Sequence, residues 1–152
     1  QRSMHYFRRI AELVLAPVLA DDHVHIKRVA TSRAASFVKV AVDTYRLGED
    51  VIAACKPLLY EFRTYTSRTI ALVKYHSELE YYIREALAPA PSRSVRRVDV
   101  YREEHQARVI VERGTIAQFL GRKGMNAAVA SKLTGYGLVL VDEGDLGKVG
   151  GA

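Results

Sequence analysis

The chain has 152 residues and 17.0 kDa, with 49% apolar and 26% charged residues, the balance of a globular fold of one ordinary domain or two small ones. That balance excludes fibrous and disordered classes, and no apolar run approaches the roughly 20 residues a membrane helix needs. Twenty-three Lys and Arg against 17 Asp and Glu leave a net charge of +6, which favours polyanionic partners.

In chain order, RSMHYFRRIAELVLAPVL spaces Phe7, Ile10, Leu13, Val14 and Val18 as the apolar stripe of a helix that Asp21 and Asp22 close. It lacks the continuous apolar core of a secretory signal. A start at Gln1 instead of Met points to processing or to an upstream region. VHIKRV (24–29) and FVKVAVD (37–43) alternate as strands, with Val38, Val40 and Val42 on one face and Lys39, Ala41 and Asp43 on the other. The small polar link SRAAS joins them as a hairpin. Residues 49–65 are apolar but poorly periodic, and Pro57 breaks a helix there unless it begins one. The lone Cys55 rules out an internal disulfide and fits a buried small side chain or a reducing compartment.

TIALVKY (69–75) reads as a strand, and Leu79, Tyr82, Ile83, Ala86 and Leu87 mark one face of a helix that stops before Pro89. After the stiff connector APAPS the order repeats. SVRRVDVYR (94–102) and QARVIVE (106–112) are strands joined by EEH, and Ile116, Phe119 and Leu120 open a short helix. GRKG interrupts it, and a second helix buries Val129, Ala130 and Leu133 and stops at Thr134-Gly135. GLVLV (137–141) reads as a strand buried on both faces. EGDLGKVGGA has too little apolar content to order itself. Each half is thus a helix, two strands, a helical segment and a third strand, a duplicated α/β unit.

A GxxG pattern by itself means little, since about one is expected by chance in a chain of this length. GDLG and GKVG lie in the polar tail, whereas GRKG, residues 121–124, has apolar helical turns on both sides and a strand after it. Gly121 and Gly124 let a backbone approach without Cβ atoms in the way, and the helix that follows presents unpaired N–H groups at the positive end of its dipole. Arg122 and Lys123 add charge attraction without demanding a base identity. Such a turn suits the phosphates of single-stranded nucleic acid, while the bases lie along the adjoining helix and strand. A P-loop does not fit: six residues separate Gly114 from Gly121, and no hydroxyl follows a lysine where Mg²⁺ needs it. The competing interpretation is a tight helix-to-helix turn with a solvated basic tip.

GRKGMNAAVASKLTGY resembles the second KH domain of the NusA family of bacterial transcription elongation and termination factors. VHIKRVATS with FVKVAV resembles that family's first KH domain, and REALAPA its junction, so the likeness covers about residues 10–142. The resemblance implies an α+β fold of two tandem type II KH domains, each a three-stranded sheet covered by helices. These are a first unit over 1–88, a second over 89–143 and a flexible Gly-rich tail over 144–152. It further implies single-stranded RNA binding in transcription elongation, termination and antitermination, with Gly121, Arg122, Lys123 and Gly124 as the GxxG loop. Asn126 and the helix to Leu133 form the next wall of the groove. RNA polymerase is the implied partner and a bacterial-type cytoplasm the implied location, with no cofactor.

Nothing resembles the family's polymerase-binding N-terminal region or S1 barrel, so a fragment or a reduced relative is expected. In the first unit, ACKPLLYEF (54–62) stands where the family has its first GxxG loop. Its nucleotide clamp is therefore expected to be lost, with Leu58, Leu59, Tyr60 and Phe62 serving as core in preference to a docking surface. That loss supports an alternative, a structural RNA-binding component of a ribosome or other ribonucleoprotein in a mitochondrial or plastid matrix.

The remaining candidates are weaker. Arg93, Arg96, Arg97 and Arg102 either extend a phosphate track or form a solvated face. His23 and His25 alternate on a strand, but no further ligand is near in sequence, so no metal site is expected. Tyr82 falls on the apolar helical face, leaving Tyr81 as the available ring among the tyrosines. No catalytic grouping is legible, so no enzyme activity is expected.

Overall fold

The computed structural model describes residues 2–16, 24–33, 36–44 and 55–150. The first unit comprises α1 (Arg2–Val14), β1 (Val24–Thr31), β2 (Phe37–Thr44), α2 (Lys56–Thr66) and β3 (Thr69–Lys74). The second comprises α3 (Leu79–Ala86), β4 (Val95–Tyr101), β5 (Gln106–Val111), α4 (Ile116–Leu120), α5 (Met125–Thr134) and β6 (Gly137–Asp142), followed by α6 (Glu143–Gly150). In each unit the first two strands pair antiparallel, and the third joins the middle strand in parallel. A parallel third strand demands a crossover, and the helices between the second and third strands supply it. The chain has the α+β architecture of two tandem KH units.

A bulge sets the phase of each leading strand. The pairing of β1 with β2 slips between Ile26 and Arg28, and that of β4 with β5 between Val95 and Arg97. One extra residue at each slip inverts the alternation beyond it. Ile26 and Val29 therefore both reach the core with Val38, Val40 and Val42, while Val95 and Val98 share the core of the second unit.

Helix α1 lies on the first sheet, but its buried stripe is Phe7, Ala11 and, just beyond it, Leu15. This corrects the expected stripe: Ile10 is only partly buried, and Leu13 is 70% exposed. The spacing of Phe7, Ala11 and Leu15 is a strict i, i+4, i+8 row, which the small Ala11 allows to sit close to the strands. Val18, Asp21, Asp22 and His23 lie outside the described residues, as do the side chain of Val14 and residues 45–54. In α2, Pro57 stands in the first turn, where its missing N–H costs nothing, so the helix begins at the proline instead of breaking there.

The first sheet is covered on both faces. Phe7, Leu15, Phe62 and Cys55 pack on the face of Val38, Val40 and Val42, and burial pushes the Cys55 thiol pKa up. On the other face Ala30, Ala41 and Val73 join Tyr82, Ile83, Ala86 and Leu87 in one cluster with the core of the second unit. Helix α3, placed by sequence at the end of the first unit, therefore packs against both sheets. Lys39, on the strand face opposite the three valines, is fully buried in this seam. Its Nζ donates to the carbonyls of Ala86, the last residue of α3, and of Ala88 (2.7 Å), two residues beyond it.

Two expectations about the C-terminal region are corrected. β6 is an edge strand pairing with β5 alone and only one of its faces is covered: Leu138 and Leu140 pack on the core while Val139, on the alternate face, is 51% exposed. Burial on both faces would need a further strand or helix over its outer side. The Gly-rich tail, expected to be flexible over 144–152, forms α6 through Gly150, and residues 151–152 lie outside the described residues. Acidic side chains anchor its start. Glu143 accepts from the Arg113 amide (2.9 Å), and Asp142 accepts from the amides of Gly144 (2.7 Å) and Gly114 (2.9 Å). Carboxylates beside a helix N-terminus meet the positive end of its dipole. Among the described residues no helix is long and apolar enough to cross a membrane.

Candidate nucleic-acid interface

The GRKG segment is the corner between α4 and α5. Phe119 and Val129, both fully buried, hold the two helices in the core and leave the corner outside. Gly121 ends α4 at φ 74° and ψ 177°, a conformation essentially reserved for glycine. Residues 122–124 then make a single 3-10 turn in which Lys123 takes φ 55° and Gly124 φ 72°.

The two glycines serve different needs. A Cβ on Gly121 would collide with Asn126, whereas a Cβ on Gly124 would meet nothing within 4 Å. Gly121 is thus required by internal packing, and Gly124 combines a left-handed backbone with an open approach from solvent. Arg122 and Lys123 are exposed, and neither forms an ion pair among the described residues. The turn uses some of its own amides: Gly124 N–H donates to the Gly121 carbonyl (3.0 Å), and Met125 N–H to that of Arg122. No side chain caps the start of α5, so its positive end is left to solvent or a ligand.

Asn126, expected with the helix to Leu133 as the next wall of the groove, lines the space beside the corner but is largely buried. It is 5% exposed, and its Nδ2 donates to the carbonyls of Leu87 (2.8 Å) and Phe119 (2.9 Å). It thereby pins the start of α5 to the ends of α3 and α4, and it sets the angle at which the loop projects. At the other end of α5, Gly135 adopts the left-handed conformation expected of a helix stop. Tyr82 Oη donates to the Leu133 carbonyl (3.0 Å), and burial pushes its phenol up to about 12. Lys132 Nζ reaches the Thr31 carbonyl of the first unit at 3.3 Å. These ties, one within the second unit and one across the seam, had no sequence signal, because they join residues about 50 to 100 positions apart.

The other sequence candidates divide. Arg96 pairs with Glu112 (3.6 Å) and Glu143 (3.4 Å), and Arg97 pairs with Asp99 (3.0 Å), so both direct their charge locally and stand apart from a continuous phosphate track. Arg93 and Arg102 are exposed. Tyr82 is core, packed 4.9 Å from the Tyr75 ring, and Tyr81 is about half exposed. In α2, Phe62 is fully buried, Leu58 and Leu59 pack against the core, and Tyr60 alone of the four points out, 75% exposed. Residues 55–68, which lead through α2 into β3, contain no glycine. No group of three or more metal-ligating side chains occurs among the described residues.

Residues 79–148 match the family described as NusA-like second KH domain. The chain is similar to the transcription termination/antitermination protein NusA of Halalkalibacterium halodurans, 28% identical over 94% of this chain and 37% of that one. It is similar to the protein of the same name from Rickettsia prowazekii, 25% identical over 84% of this chain and 26% of that one. The Mycobacterium tuberculosis protein is 30% identical over 79% of this chain and 35% of its own length. The chain thus spans about a third of the length of these relatives. Among solved structures, that of APE1850 covers 93% of this chain and 99% of its own at a TM-score of 0.60 and 15% identity, a likeness of fold. With the duplicated topology, these matches make residues 79–148 a NusA-like second KH domain, in a chain that is similar to NusA proteins over most of its length.

Proposed function

We propose that the chain binds single-stranded RNA through Gly121, Arg122, Lys123 and Gly124, in a transcription-related role of the NusA kind. The observation that carries this reading is the corner itself. Two unpaired cations and an unobstructed glycine stand at the uncapped start of a helix whose position is fixed from inside by Asn126. Backbone amides and flexible cations grip a sugar-phosphate chain without reading its sequence. The names of the relatives, termination/antitermination proteins, support a task at the elongating RNA polymerase and a bacterial-type cytoplasm. The first unit acts as a support: α2 fills the place of a second clamp with core residues and offers no glycine turn. No chemical step is assigned to the protein. The ribonucleoprotein alternative has no observation in its favour.

Replacing Arg122 and Lys123 together with Asp tests the reading. Anisotropy with a labelled unstructured RNA should show at least a tenfold loss of affinity, while the circular dichroism spectrum and Tm stay unchanged. Retained affinity would remove the loop from the interface.

A further inference from the structure

A cavity of about 340 Å³ opens where β3 gives way to α3, lined by His76, Ser77, Glu78 and Tyr81. The fold sets it well away from the GRKG corner. Leu79 opens α3, and the carbonyl of Leu87, just past its end, holds Asn126 beneath that corner. The eight residues of α3, rising about 1.5 Å each, separate the two places by roughly 12 Å. A ligand at one end of α3 leaves the other end free.

The lining departs from the character of this basic chain: two rings, a hydroxyl and a carboxylate, with no lysine or arginine among the described residues. The His76 and Tyr81 ring centroids are 5.9 Å apart and the rings are tilted by 47°, so neither lies flat on the other and part of each face is left for an occupant. Glu78 is the N-cap of α3, yet its side chain makes no capping hydrogen bond and meets no cation among the described residues. Glu80, two residues on, is by contrast held by Arg84 at 3.5 Å. The full charge of the Glu78 carboxylate outweighs the roughly half charge at the positive end of the helix, so the cavity attracts cations.

A phosphate finds no positive side chain in this lining, whereas a cation finds a carboxylate and the negative faces of two rings. Of the two cationic side chains, lysine brings a compact, strongly hydrated point charge. Arginine brings a flat, weakly hydrated guanidinium that stacks on a ring while donating two parallel N–H groups to a carboxylate, and the Ser77 hydroxyl is a further acceptor. The size suits one such side chain.

We propose that this cavity is a docking pocket for an arginine side chain of a partner protein, its guanidinium laid on Tyr81 and paired with Glu78. The pocket is independent of the grip on RNA, and it allows a chain holding a strand at GRKG to engage a protein at the opposite end of α3.

The probe is N-acetyl-arginine amide, titrated into the isotope-labelled full chain and followed by amide chemical shifts, with the citrulline analogue as a neutral compound of the same shape. Arginine should shift the amides of residues 76–81 with a millimolar Kd, and citrulline should not. Glu78→Gln should weaken this binding by about fivefold, and Tyr81→Ala by about two- to fivefold. Both side chains are exposed, so Tm should hold, and Tyr81→Phe, which keeps the ring face, should retain binding. Shifts that are absent, spread over other surface carboxylates or equal with citrulline overturn the pocket. So does an unstructured RNA that displaces the arginine and shifts the same amides, an outcome that makes the cavity a base site. RNA affinity should be unchanged in Glu78→Gln and lost only with the Arg122→Asp, Lys123→Asp pair, so failure of the pocket and failure of the loop are told apart.

Discussion

Gly121 and Asn126 are packed so closely that a Cβ on the glycine would stand 2.6 Å from the Asn126 Cβ and 3.0 Å from its amide nitrogen. Gly121→Ala must therefore displace the side chain that ties α5 to α3 and α4, on top of a backbone strain of about 1–3 kcal/mol. A lowered Tm is expected, measured by thermal denaturation. Gly124→Ala meets no atom, so it should cost only about 1 kcal/mol for its positive φ while weakening RNA binding, because the new methyl stands where the strand approaches. The pair of variants separates packing from recognition.

Neutralising the tip should change the salt dependence of binding in a defined way. For a single strand, the steepness of log K against log salt falls by about 0.7 for every phosphate that no longer meets a protein cation. Arg122→Gln with Lys123→Gln is therefore expected to make the slope shallower by about 1.4, read from affinities over a salt series. A slope equal to that of the parent chain would show that neither cation meets phosphate.

Lys39 makes the seam between the units sensitive to pH. Burial lowers its pKa from 10.5 to about 7. The neutral amine has two N–H donors for the two carbonyls it meets, of Ala86 and Ala88. Between about pH 7 and 10.5 the unfolded chain holds a proton that the folded chain releases, so this group favours folding more as pH rises, by about 1.4 kcal/mol per pH unit at most. Below pH 7 both states are protonated and the dependence levels off. Urea denaturation at about pH 7 and pH 9.5 should show the parent chain gaining stability relative to Lys39→Met at the higher pH.

The first unit's α2 offers a sharp internal contrast. Phe62→Ala removes a fully buried ring and should cost about 3–5 kcal/mol, measured by denaturant midpoint. Tyr60→Ser, two residues away on the solvent side, should stay within about 0.5 kcal/mol. A large loss at Tyr60 would mean that its ring packs against other structure in solution.

Local patterns carried much of this architecture. The alternation in FVKVAVD and QARVIVE, the stop at Thr134-Gly135 and the apolar face of Tyr82, Ile83 and Ala86 each state an element within a few residues, because period and turn chemistry are short-range properties. The GRKG corner was legible for the same reason: its glycines, its charge and the helix after it are contiguous. The bulges at Ile26/Arg28 and Val95/Arg97 were not, since a slipped pairing belongs to two strands and leaves no mark on either alone.

What the sequence by itself determined is therefore the order of elements, their duplication and the glycines and charges that make the corner at residues 121–124. Tertiary structure alone decided which faces meet. Alternation puts Lys39 only on the opposite strand face from Val38, Val40 and Val42, and Asn126 reads as a groove wall by motif. Lys39 is buried because α3 lies against the first sheet, and Asn126 because it is tied to the ends of α3 and α4. Burial is a sum over neighbours distant in the chain, and a strand's two faces stay equivalent until something is packed on each.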